Sequence, residues 1–173
     1  MVVMPATASD LPTIAALVNA AYRGESAKAG WTHESGLLSG QRTDPQALAA
    51  DLAARPDSTI LLLRDGDGAL QGSVWVEQVE PQTCYLGMLT VDPRLQAKGL
   101  GRTLLEAAEN HARRLGATRM RMTVIHVRDA LIAWYERRGY RRTGAVEPFP
   151  YGDPRVGAPL REDLTLLVLE KPL

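Results

Sequence analysis

Hydrophobic spacing in the N-terminal third of the chain predicts one strand and two helices. Residues 2–5 have the character of a short opening strand, and Thr7 with Asp10 three residues later matches a capping box at a helix start. The apolar residues that follow keep to one helical face: Leu11, Ile14, Leu17, Val18 and Tyr22. A second helix is expected to begin at residues 44–45, an Asp-Pro pair, because proline suits the first helical position.

Three consecutive strand patterns occupy the middle of the chain. Thr59–Arg64 is an apolar run, the sequence D-G-D-G at 65–68 is a tight turn, and Ala69–Val79 resumes as a strand. A Pro-Gln turn at 81–82 leads into a third strand, Thr83–Val91. This segment therefore predicts an antiparallel meander.

The C-terminal half alternates between helix and strand periods. A helix over about Gly99–Leu115 is followed by a strand with alternating apolar positions over 119–124, and then by a short helix over about Asp129–Arg138. Leu164–Leu169 is expected to close the sheet. Because the sequence has no repeat or linker, we predict one α/β domain over residues 1–173.

Composition and charge exclude several classes of protein. The chain has 20 Lys plus Arg and 20 Asp plus Glu, so no net field would steer it to nucleic acid or to an acidic membrane. No apolar run reaches the roughly 20 residues that cross a bilayer, and the first residues lack a secretory signal, so a cytoplasmic location is expected. Cys84 is the only cysteine, which excludes an internal disulfide and a multi-cysteine metal site; we interpret it as a core residue.

The charges are unevenly distributed along the chain. Residues 94–142 hold twelve Lys or Arg and four acids, a net charge of +8, and the remainder carries −8. Solvated helix faces explain part of this excess. The other interpretation is a locally positive region for a polyanionic small ligand, and it requires a phosphate-binding element inside the segment.

Such an element is predicted at residues 89–105, where a strand, a glycine-containing turn and an amphipathic helix meet. Gly99 and Gly101 have no Cβ to obstruct a close ligand, and the first amides of a helix have no internal partners. Lys98, Arg102 and the Thr103 hydroxyl add charge and a donor. A dinucleotide fingerprint fails at its third glycine, and a P-loop fails because Gly-Lys-Ser/Thr is absent. A glycine-relieved turn without a ligand is the structural alternative.

A second segment, residues 124–140, completes the pattern. It runs V-I-H-V-R-D-A-L-I-A-W-Y-E-R-R-G-Y, with Tyr135 four residues before a Gly-Tyr pair. Together with V-D-P at 91–93 and the loop Q-A-K-G-L-G at 96–101, it resembles the GNAT superfamily of acyl-CoA-dependent N-acetyltransferases, whose phosphate loop is Gln/Arg-x-x-Gly-x-Gly/Ala. The resemblance implies a mixed, mostly antiparallel central sheet of six to seven strands flanked by about four helices, with a splayed strand pair forming the coenzyme A cleft.

The resemblance also implies that acetyl-CoA is the co-substrate. Its pyrophosphate would rest on the backbone amides of residues 96–102, and its pantetheine arm would pair with backbone near Leu89 and Val91. The N–H of Leu89 would stabilise the oxyanion that forms when an amine attacks. Arg128 stands where many members have asparagine, and it would reach a phosphate or simply open the helix. The expected cofactor-binding residues are Leu89, Val91, Gln96, Ala97, Lys98, Gly99, Leu100, Gly101, Arg102, Thr103, Arg128 and Tyr135.

Two proton transfers accompany such a reaction. Tyr135 matches the family's tyrosine acid for the leaving thiolate, although its place beside an apolar stripe equally suits a packing tyrosine. No residue is clearly assigned as the base that removes the acceptor's proton, because Tyr85 stands where the histone-modifying branch of the family has a glutamate. Glu34 is favoured, since the family's first interhelix region borders the acceptor cleft. The alternatives are Glu77, Glu80, His126 and a water chain, and each glutamate also suits a solvated surface.

Two long irregular stretches, residues 23–43 and 145–162, border the acceptor site in the family. They are rich in Gly and Pro, and loops of this length are often functional. We predict an acceptor pocket with aromatic walls and acidic groups, suited to a cationic amine. Its candidate residues, for each of which loop packing is the alternative, are Trp31, Glu34, Phe149, Tyr151 and Asp153.

The leading hypothesis is an enzyme that moves acetyl from acetyl-CoA, without a metal, to a primary amine of a small molecule, peptide or protein N-terminus. A non-catalytic acyl-CoA-binding regulatory module is the alternative, and a nucleotide or nucleic-acid binder using the +8 segment ranks last. Neither a nucleic-acid nor a membrane partner is expected. An exposed sheet edge would support a homodimer.

Overall fold

The computed structural model describes residues 1–173, apart from the side chains of residues 24 and 25. The strands are β1 (Val2–Pro5), β2 (Leu38–Ser39), β3 (Ser58–Arg64), β4 (Leu70–Glu80), β5 (Thr83–Val91), β6 (Arg119–Ile125), β7 (Arg141–Pro148), β8 (Ala158–Pro159) and β9 (Thr165–Pro172). The helices are α1 (Leu11–Tyr22), α2 (Gly24–Ala27), α3 (Pro45–Ala54), α4 (Leu100–Arg114) and α5 (Asp129–Glu136). Short 3₁₀ turns lie at Ala8–Asp10, Pro93–Leu95 and Pro154–Val156.

Seven of the strands form one sheet in the order β1-β3-β4-β5-β6-β9-β7. Neighbouring strands are antiparallel except β5 and β6, which are parallel because α4 connects them as a crossover. The predicted meander is present as β3, β4 and β5. A mixed, mostly antiparallel sheet with helices α1, α3, α4 and α5 confirms the predicted fold class.

Two strand pairings lie in the segments that the sequence predicted to be irregular. β7 continues to Pro148, and the two-residue strands β2 and β8 pair with each other. No alternating pattern marks β7, because all of its residues are exposed, and its register against β9 shifts around Gly144, which has φ +86°. β2 and β8 are too short to show any period. The prediction of irregular structure was therefore wrong for 145–148, 38–39 and 158–159.

β5 and β6 pair at their first residues and then separate. They are paired only from Thr83 opposite Arg119 to Tyr85 opposite Arg121. Beyond that point β5 continues beside β4, and β6 continues beside β9 as far as Ile125. The wedge between residues 86–91 and 122–125 is the splayed strand pair that the family resemblance implies.

A bulge in β5 lies inside this wedge. Gly87 pairs with Trp75 and Thr90 pairs with Ser73, so two residues of β5, 88 and 89, oppose a single residue of β4. Met88 adopts φ +46°, a left-handed conformation that is uncommon for a residue with a side chain. The bulge leaves the backbone at 88–89 out of the regular ladder, where it faces the wedge.

Alternate residues of β3 build the core on opposite faces of the sheet. Leu61 and Leu63 join the cluster of α4 and α5, whereas Ile60 and Leu62 join the cluster of α1 and α3. Cys84 is buried in the first cluster, which confirms its interpretation as a core residue. Among the described helices, none combines the length and the apolar character that spanning a bilayer requires.

Candidate active site

The connection from β5 to α4 gathers backbone donors at the start of the helix. Ala97 and Gly99 both adopt positive φ, +69° and +82°, and left-handed residues in such a turn bring successive N–H groups into an anion-binding concavity. Thr103 is the first residue whose N–H reaches a carbonyl of this helical turn, that of Gly99 at 3.1 Å. The amides of residues 100–102 therefore precede the hydrogen-bond ladder, at the positive end of the helix dipole.

The two glycines of this loop leave room on its outer side. A Cβ at Gly99 would meet no protein atom within 4 Å, so the space beyond this backbone is open. A Cβ at Gly101 would lie 3.6 Å from Trp134 and 3.8 Å from Val91, which is ordinary van der Waals contact. The protein's own packing therefore does not demand glycine at 101. A ligand that approaches the backbone closely would require glycine at this position, because a Cβ would obstruct it. The loop therefore fits a diphosphate bound at the start of the helix.

Gln96 ties the phosphate loop to the segment that follows α1. Its side-chain carbonyl accepts a hydrogen bond from the N–H of Trp31 at 2.8 Å, and its amide nitrogen donates to the Thr32 hydroxyl at 2.8 Å. The same nitrogen lies 3.4 Å from the carbonyl oxygen of Val91. The side chain of Gln96 therefore fixes the start of the loop from within the protein.

A cavity of about 250 Å³ lies between this loop, β5 and α5, and we call it the loop-side cavity. All predicted cofactor-binding residues line it except Lys98, Thr103 and Arg128. Its rim is aromatic, because the ring centroids of Trp31 and Trp134 are 6.4 Å apart. The structure thus brings the loop and Tyr135 to one cavity.

Three charged or hydroxyl residues of the predicted set do not take the positions expected. Lys98 and Thr103 are exposed outside the loop-side cavity, and the Thr103 hydroxyl lies 3.4 Å from the carbonyl oxygen of Gly99. Arg102 lines the cavity but its guanidinium pairs with Glu106 at 2.8 Å, one helical turn along α4. The donors that the cavity presents are therefore mainly backbone amides.

Tyr135 lies where the loop-side cavity meets a second cavity. Its ring packs edge-on against Trp134 and Tyr140, with centroid distances of 5.0 and 5.6 Å. Among the described side chains and backbone groups, none hydrogen-bonds its hydroxyl. Burial raises the pKa of Tyr135 well above the ordinary value of a phenol, so the group stays protonated at neutral pH.

The second cavity has a volume of about 290 Å³ and occupies the wedge between β5 and β6. We call it the arginine-side cavity, because Arg42 and Arg128 line it. It shares Leu89 and Tyr135 with the loop-side cavity, so the two cavities meet at these residues. Phe149, one of the residues predicted for the acceptor pocket, also lines this cavity.

Glu34 lies in this wall and is held by three arginines. Its carboxylate is 3.1 Å from Arg23, 3.3 Å from Arg128 and 3.5 Å from Arg42. Burial raises the pKa of Glu34, but the attraction of Arg42, Arg128 and Arg23 outweighs it and lowers the pKa below the usual value. A carboxylate that is stabilised in this way holds a proton poorly. The structure therefore places Glu34, the predicted general base, as the buried counter-ion of three arginines.

Arg128 contacts the segment between α1 and β2 and not the phosphate loop. Its guanidinium donates to the carbonyl oxygen of Thr32 and to Glu34, and its backbone lies directly before the first turn of α5. Arg128 does not line the loop-side cavity, where the phosphate loop lies. Its position does fit the other interpretation, in which it opens the helix.

Three residues predicted for the acceptor pocket lie elsewhere. Trp31 lines the loop-side cavity, whereas Phe149 lines the arginine-side cavity. The Tyr151 ring packs on Phe149 at 5.0 Å, but its hydroxyl donates to the carbonyl oxygen of Arg161 outside the cavity. Asp153 pairs with Arg155 at 2.7 Å. Tyr151 and Asp153 find their partners within their own loop, which fits loop packing, whereas the ring of Trp31 lies near Trp134 of α5.

The family comparison now decides between the possible identities of this site. The model of the acetyltransferase (GNAT) family matches residues 18–140, which include β5, the phosphate loop, α4 and Tyr135. The chain belongs to the GNAT acetyltransferase family. The resemblance drawn from the two sequence motifs is confirmed.

Named acetyltransferases and solved structures are similar to this GNAT chain in sequence or in fold. A mycothiol acetyltransferase of Beutenbergia cavernae is 35% identical over 99 residues, 57% of this chain and 33% of that protein. A ribosomal-protein-alanine N-acetyltransferase structure from Brucella melitensis has a TM-score of 0.71 at 22% identity, over 100% of both chains. A GNAT acetyltransferase from Elizabethkingia anophelis, solved with acetyl-CoA bound, has a TM-score of 0.67 at 15% identity, over 99% of this chain and 97% of that one.

This chain matches only part of each of these named relatives. The chain spans between 27% and 49% of the curated relatives that it matches. The two solved structures are similar to it in fold.

The other predicted candidates for the base lie outside both cavities of the GNAT chain. Glu77 accepts from the indole N–H of Trp75 at 3.3 Å, and Glu80 accepts from the Thr83 hydroxyl at 3.1 Å. The Nδ1 atom of His126 accepts from the backbone N–H of Thr165 at 3.2 Å. Among the described residues, Glu34 is the one carboxylate that lines either cavity.

Sequence reasoning missed two residues that border the junction of the cavities. Tyr22 was assigned to the apolar face of α1, yet its hydroxyl donates to the carbonyl oxygen of Leu89 in the β5 bulge. Arg42 lies in a polar loop without a motif, yet it lines the arginine-side cavity. Spacing within one element could not reveal either contact, since both depend on how distant segments pack.

Proposed function

We propose that this GNAT protein transfers an acetyl group from acetyl-CoA to a primary amine. The observation that carries the proposal is the order of groups along the loop-side cavity. The loop residues 96, 97 and 99–102 line this cavity, and Leu89 and Tyr135 line it where it meets the second cavity. Acetyl-CoA has the matching order, with a diphosphate at one end of its arm and a thioester at the other.

Each end of the cavity would have its own task in this proposal. The amides of the loop bind the diphosphate, because a helix N-terminus offers unpaired donors and a favourable dipole. The N–H of Leu89 stabilises the charge that develops on the thioester oxygen. Tyr22 supports this arrangement, since its hydrogen bond to the Leu89 carbonyl holds the bulged backbone in place.

The proposed reaction is direct attack within a complex of both substrates. The neutral amine nitrogen forms a bond to the acetyl carbon, the carbon–sulfur bond breaks, and its electron pair stays on sulfur. The nitrogen, positively charged after the attack, releases one proton to water. Tyr135 donates its proton to the sulfur and recovers one from solvent. A buried phenol with a raised pKa suits this role, because it remains a donor throughout the working pH range.

We propose that the proton of the acceptor amine leaves through water. Glu34 is committed to its three arginines, and the other acidic candidates lie outside the described cavities. The acceptor would therefore bind in its neutral form, or lose its proton to solvent at the cavity mouth. Turnover is then expected to rise with pH as the fraction of neutral amine increases.

An acetyl-CoA thermal-shift assay followed by an amine panel with thiol detection tests the proposal. We expect acetyl-CoA to raise the melting temperature and at least one amine to accelerate thiol release. A thermal shift without amine-dependent thiol release from any member of a broad panel would favour a non-catalytic acyl-CoA-binding module. No thermal shift at saturating acetyl-CoA would contradict both.

A further inference from the structure

The ion cluster beside the arginine-side cavity is not electrically balanced. Glu34 supplies one negative charge, and Arg23, Arg42 and Arg128 supply three positive charges within 3.5 Å of it. Arginine stays protonated in proteins, so the cluster carries a net charge of +2. Buried charge of one sign is costly unless a counter-charge reaches it.

Among the side chains that the structure describes, nearby acids do not supply that counter-charge. Arg42 also borders an outer groove that contains Asp44, Asp51 and Asp153. Asp44 caps α3 by accepting from the Ala47 N–H at 2.8 Å. Asp51 and Asp153 pair with other arginines, at 3.4 Å and 2.7 Å respectively. The carboxylates of the groove are therefore committed to other partners.

Arg42 has unused hydrogen-bonding capacity. Its contact with Glu34, at 3.5 Å, is at the long limit for a hydrogen bond. Its Nε atom is buried and has no hydrogen-bond partner among the described residues. The central carbon of the guanidinium lies over the Tyr22 ring, 4.7 Å from its centroid. An arginine in this state is prepared for a carboxylate or a phosphate.

The arginine-side cavity places these donors beside the proposed reaction centre. It shares Leu89 and Tyr135 with the loop-side cavity, and its volume of about 290 Å³ suits a small molecule. Much of the remaining wall is apolar, with Leu38, Phe149 and Leu166 among its residues. A molecule that fits this lining has an anionic group, an apolar body and an amine that reaches the thioester.

We infer that the acceptor is a small amine that also carries an anionic group, and that Arg42 and Arg128 bind this group. The inference rests on the proposed acetyl transfer and names the class of its acceptor. It reverses the sequence-based expectation of an acidic pocket for a cationic amine, because Glu34 is neutralised by arginines. The anion is a carboxylate or a phosphate, and an amino acid is the simplest molecule with the required groups.

Matched pairs of acceptors test the inference. Each amino acid is compared with its carboxamide, and phosphoethanolamine is compared with ethanolamine, with thiol release measured as kcat/KM. In at least one pair, we expect kcat/KM for the anionic member to be at least ten times that for its neutral partner. The reason is that an acceptor without the anionic group leaves the arginines unpaired. Equal or faster turnover of the neutral members would overturn the inference while leaving acetyl transfer intact.

A substitution of Arg42 links the preference to the cavity. R42Q is expected to raise the KM of the anionic acceptor at least tenfold more than the KM of its neutral partner. R142Q is the control, since Arg142 is exposed on β7 and pairs with Glu136. An equal loss for both acceptors in R42Q would indicate a structural role and contradict the inference.

Nuclear magnetic resonance of the arginine side chains gives a readout that does not depend on turnover. Titration of the full chain with the same pairs is expected to shift the Nε–H signal of Arg42 with the acids and not with the carboxamides, and R42Q identifies that signal. Absence of any shift with every acid and with phosphoethanolamine would overturn the inference. Failure of acetyl-CoA to bind in a parallel titration would instead contradict the proposed function.

Discussion

The side-chain carbonyl of Gln96 accepts a hydrogen bond from the backbone N–H of Trp31 at 2.8 Å. These residues are 65 positions apart in sequence, so the bond joins the start of the phosphate loop to the segment that follows α1. The segment also carries Thr32, whose carbonyl binds Arg128 in the other cavity. One short stretch therefore connects the walls of both cavities.

Q96A is expected to weaken acetyl-CoA binding about tenfold, which corresponds to about 1.4 kcal/mol. The substitution removes the hydrogen bonds to Trp31 and Thr32, so the loop loses the anchor that holds its amides in one arrangement. The free energy of unfolding should fall by about 1–2 kcal/mol. Isothermal titration and urea unfolding measure the two effects. Q46A, on the exposed side of α3, should change neither; unchanged affinity in Q96A would show that the loop does not need this anchor.

G99A is expected to weaken acetyl-CoA binding beyond its effect on stability. Gly99 has φ +82° and Gly116 has φ +87°, and an added Cβ would meet no protein atom within 4 Å at either position. Both alanine variants should therefore lose a similar stability of about 1 kcal/mol from backbone strain. Only G99A places a methyl group at the phosphate loop, so only its dissociation constant should rise. Equal affinities in the two variants would argue against a diphosphate at this loop.

Y135F is expected to lower kcat by about tenfold to a thousandfold, as removal of a general acid does. The melting temperature should change little, because the Tyr135 hydroxyl has no hydrogen-bond partner among the described residues. Y140F is the matched comparison: Tyr140 donates to the buried Glu109 at 3.0 Å, so this variant should lose stability and retain kcat. A Y135F enzyme with full turnover would assign Tyr135 to packing alone.

E34Q is expected to destabilise the protein by roughly 3–5 kcal/mol, because it leaves three arginines without their buried counter-ion. Since the pKa of Glu34 is lowered in the folded state, the unfolded chain binds its proton first as the pH falls. The contribution of Glu34 is therefore fully present above the ordinary glutamate pKa of 4.5 and is lost as the pH falls through the lower pKa of the folded state. In urea unfolding at several pH values, the free energy of unfolding should fall less with decreasing pH for E34Q than for the unmodified protein. Parallel profiles of the two proteins would contradict the counter-ion role.

The sequence predicted the features that depend on neighbouring residues. Residues 96–101 were predicted to be a phosphate loop because glycines at 99 and 101 interrupt a strand-to-helix junction. Tyr135 was predicted to be the acid because it stands at a fixed distance from Gly139. Both are local patterns, and the fold follows from the order of strongly periodic elements such as α4.

Features that depend on distant packing were not predictable in this way. Glu34 and Arg128 are 94 positions apart, and nothing in the composition of either segment indicates that they meet. A glutamate in a glycine-rich loop has the same local pattern whether it is a base, a surface charge or a counter-ion. Only the tertiary arrangement of Arg42 and Arg128 around it reverses the expected charge of the acceptor side.

A crystal structure of the protein with acetyl-CoA tests the central claim most directly. The account predicts diphosphate oxygens within 2.7–3.2 Å of backbone nitrogens of residues 97–102 and the thioester sulfur beside the Tyr135 hydroxyl. A diphosphate bound away from this loop, or a sulfur on the far side of Leu89 from Tyr135, would contradict it.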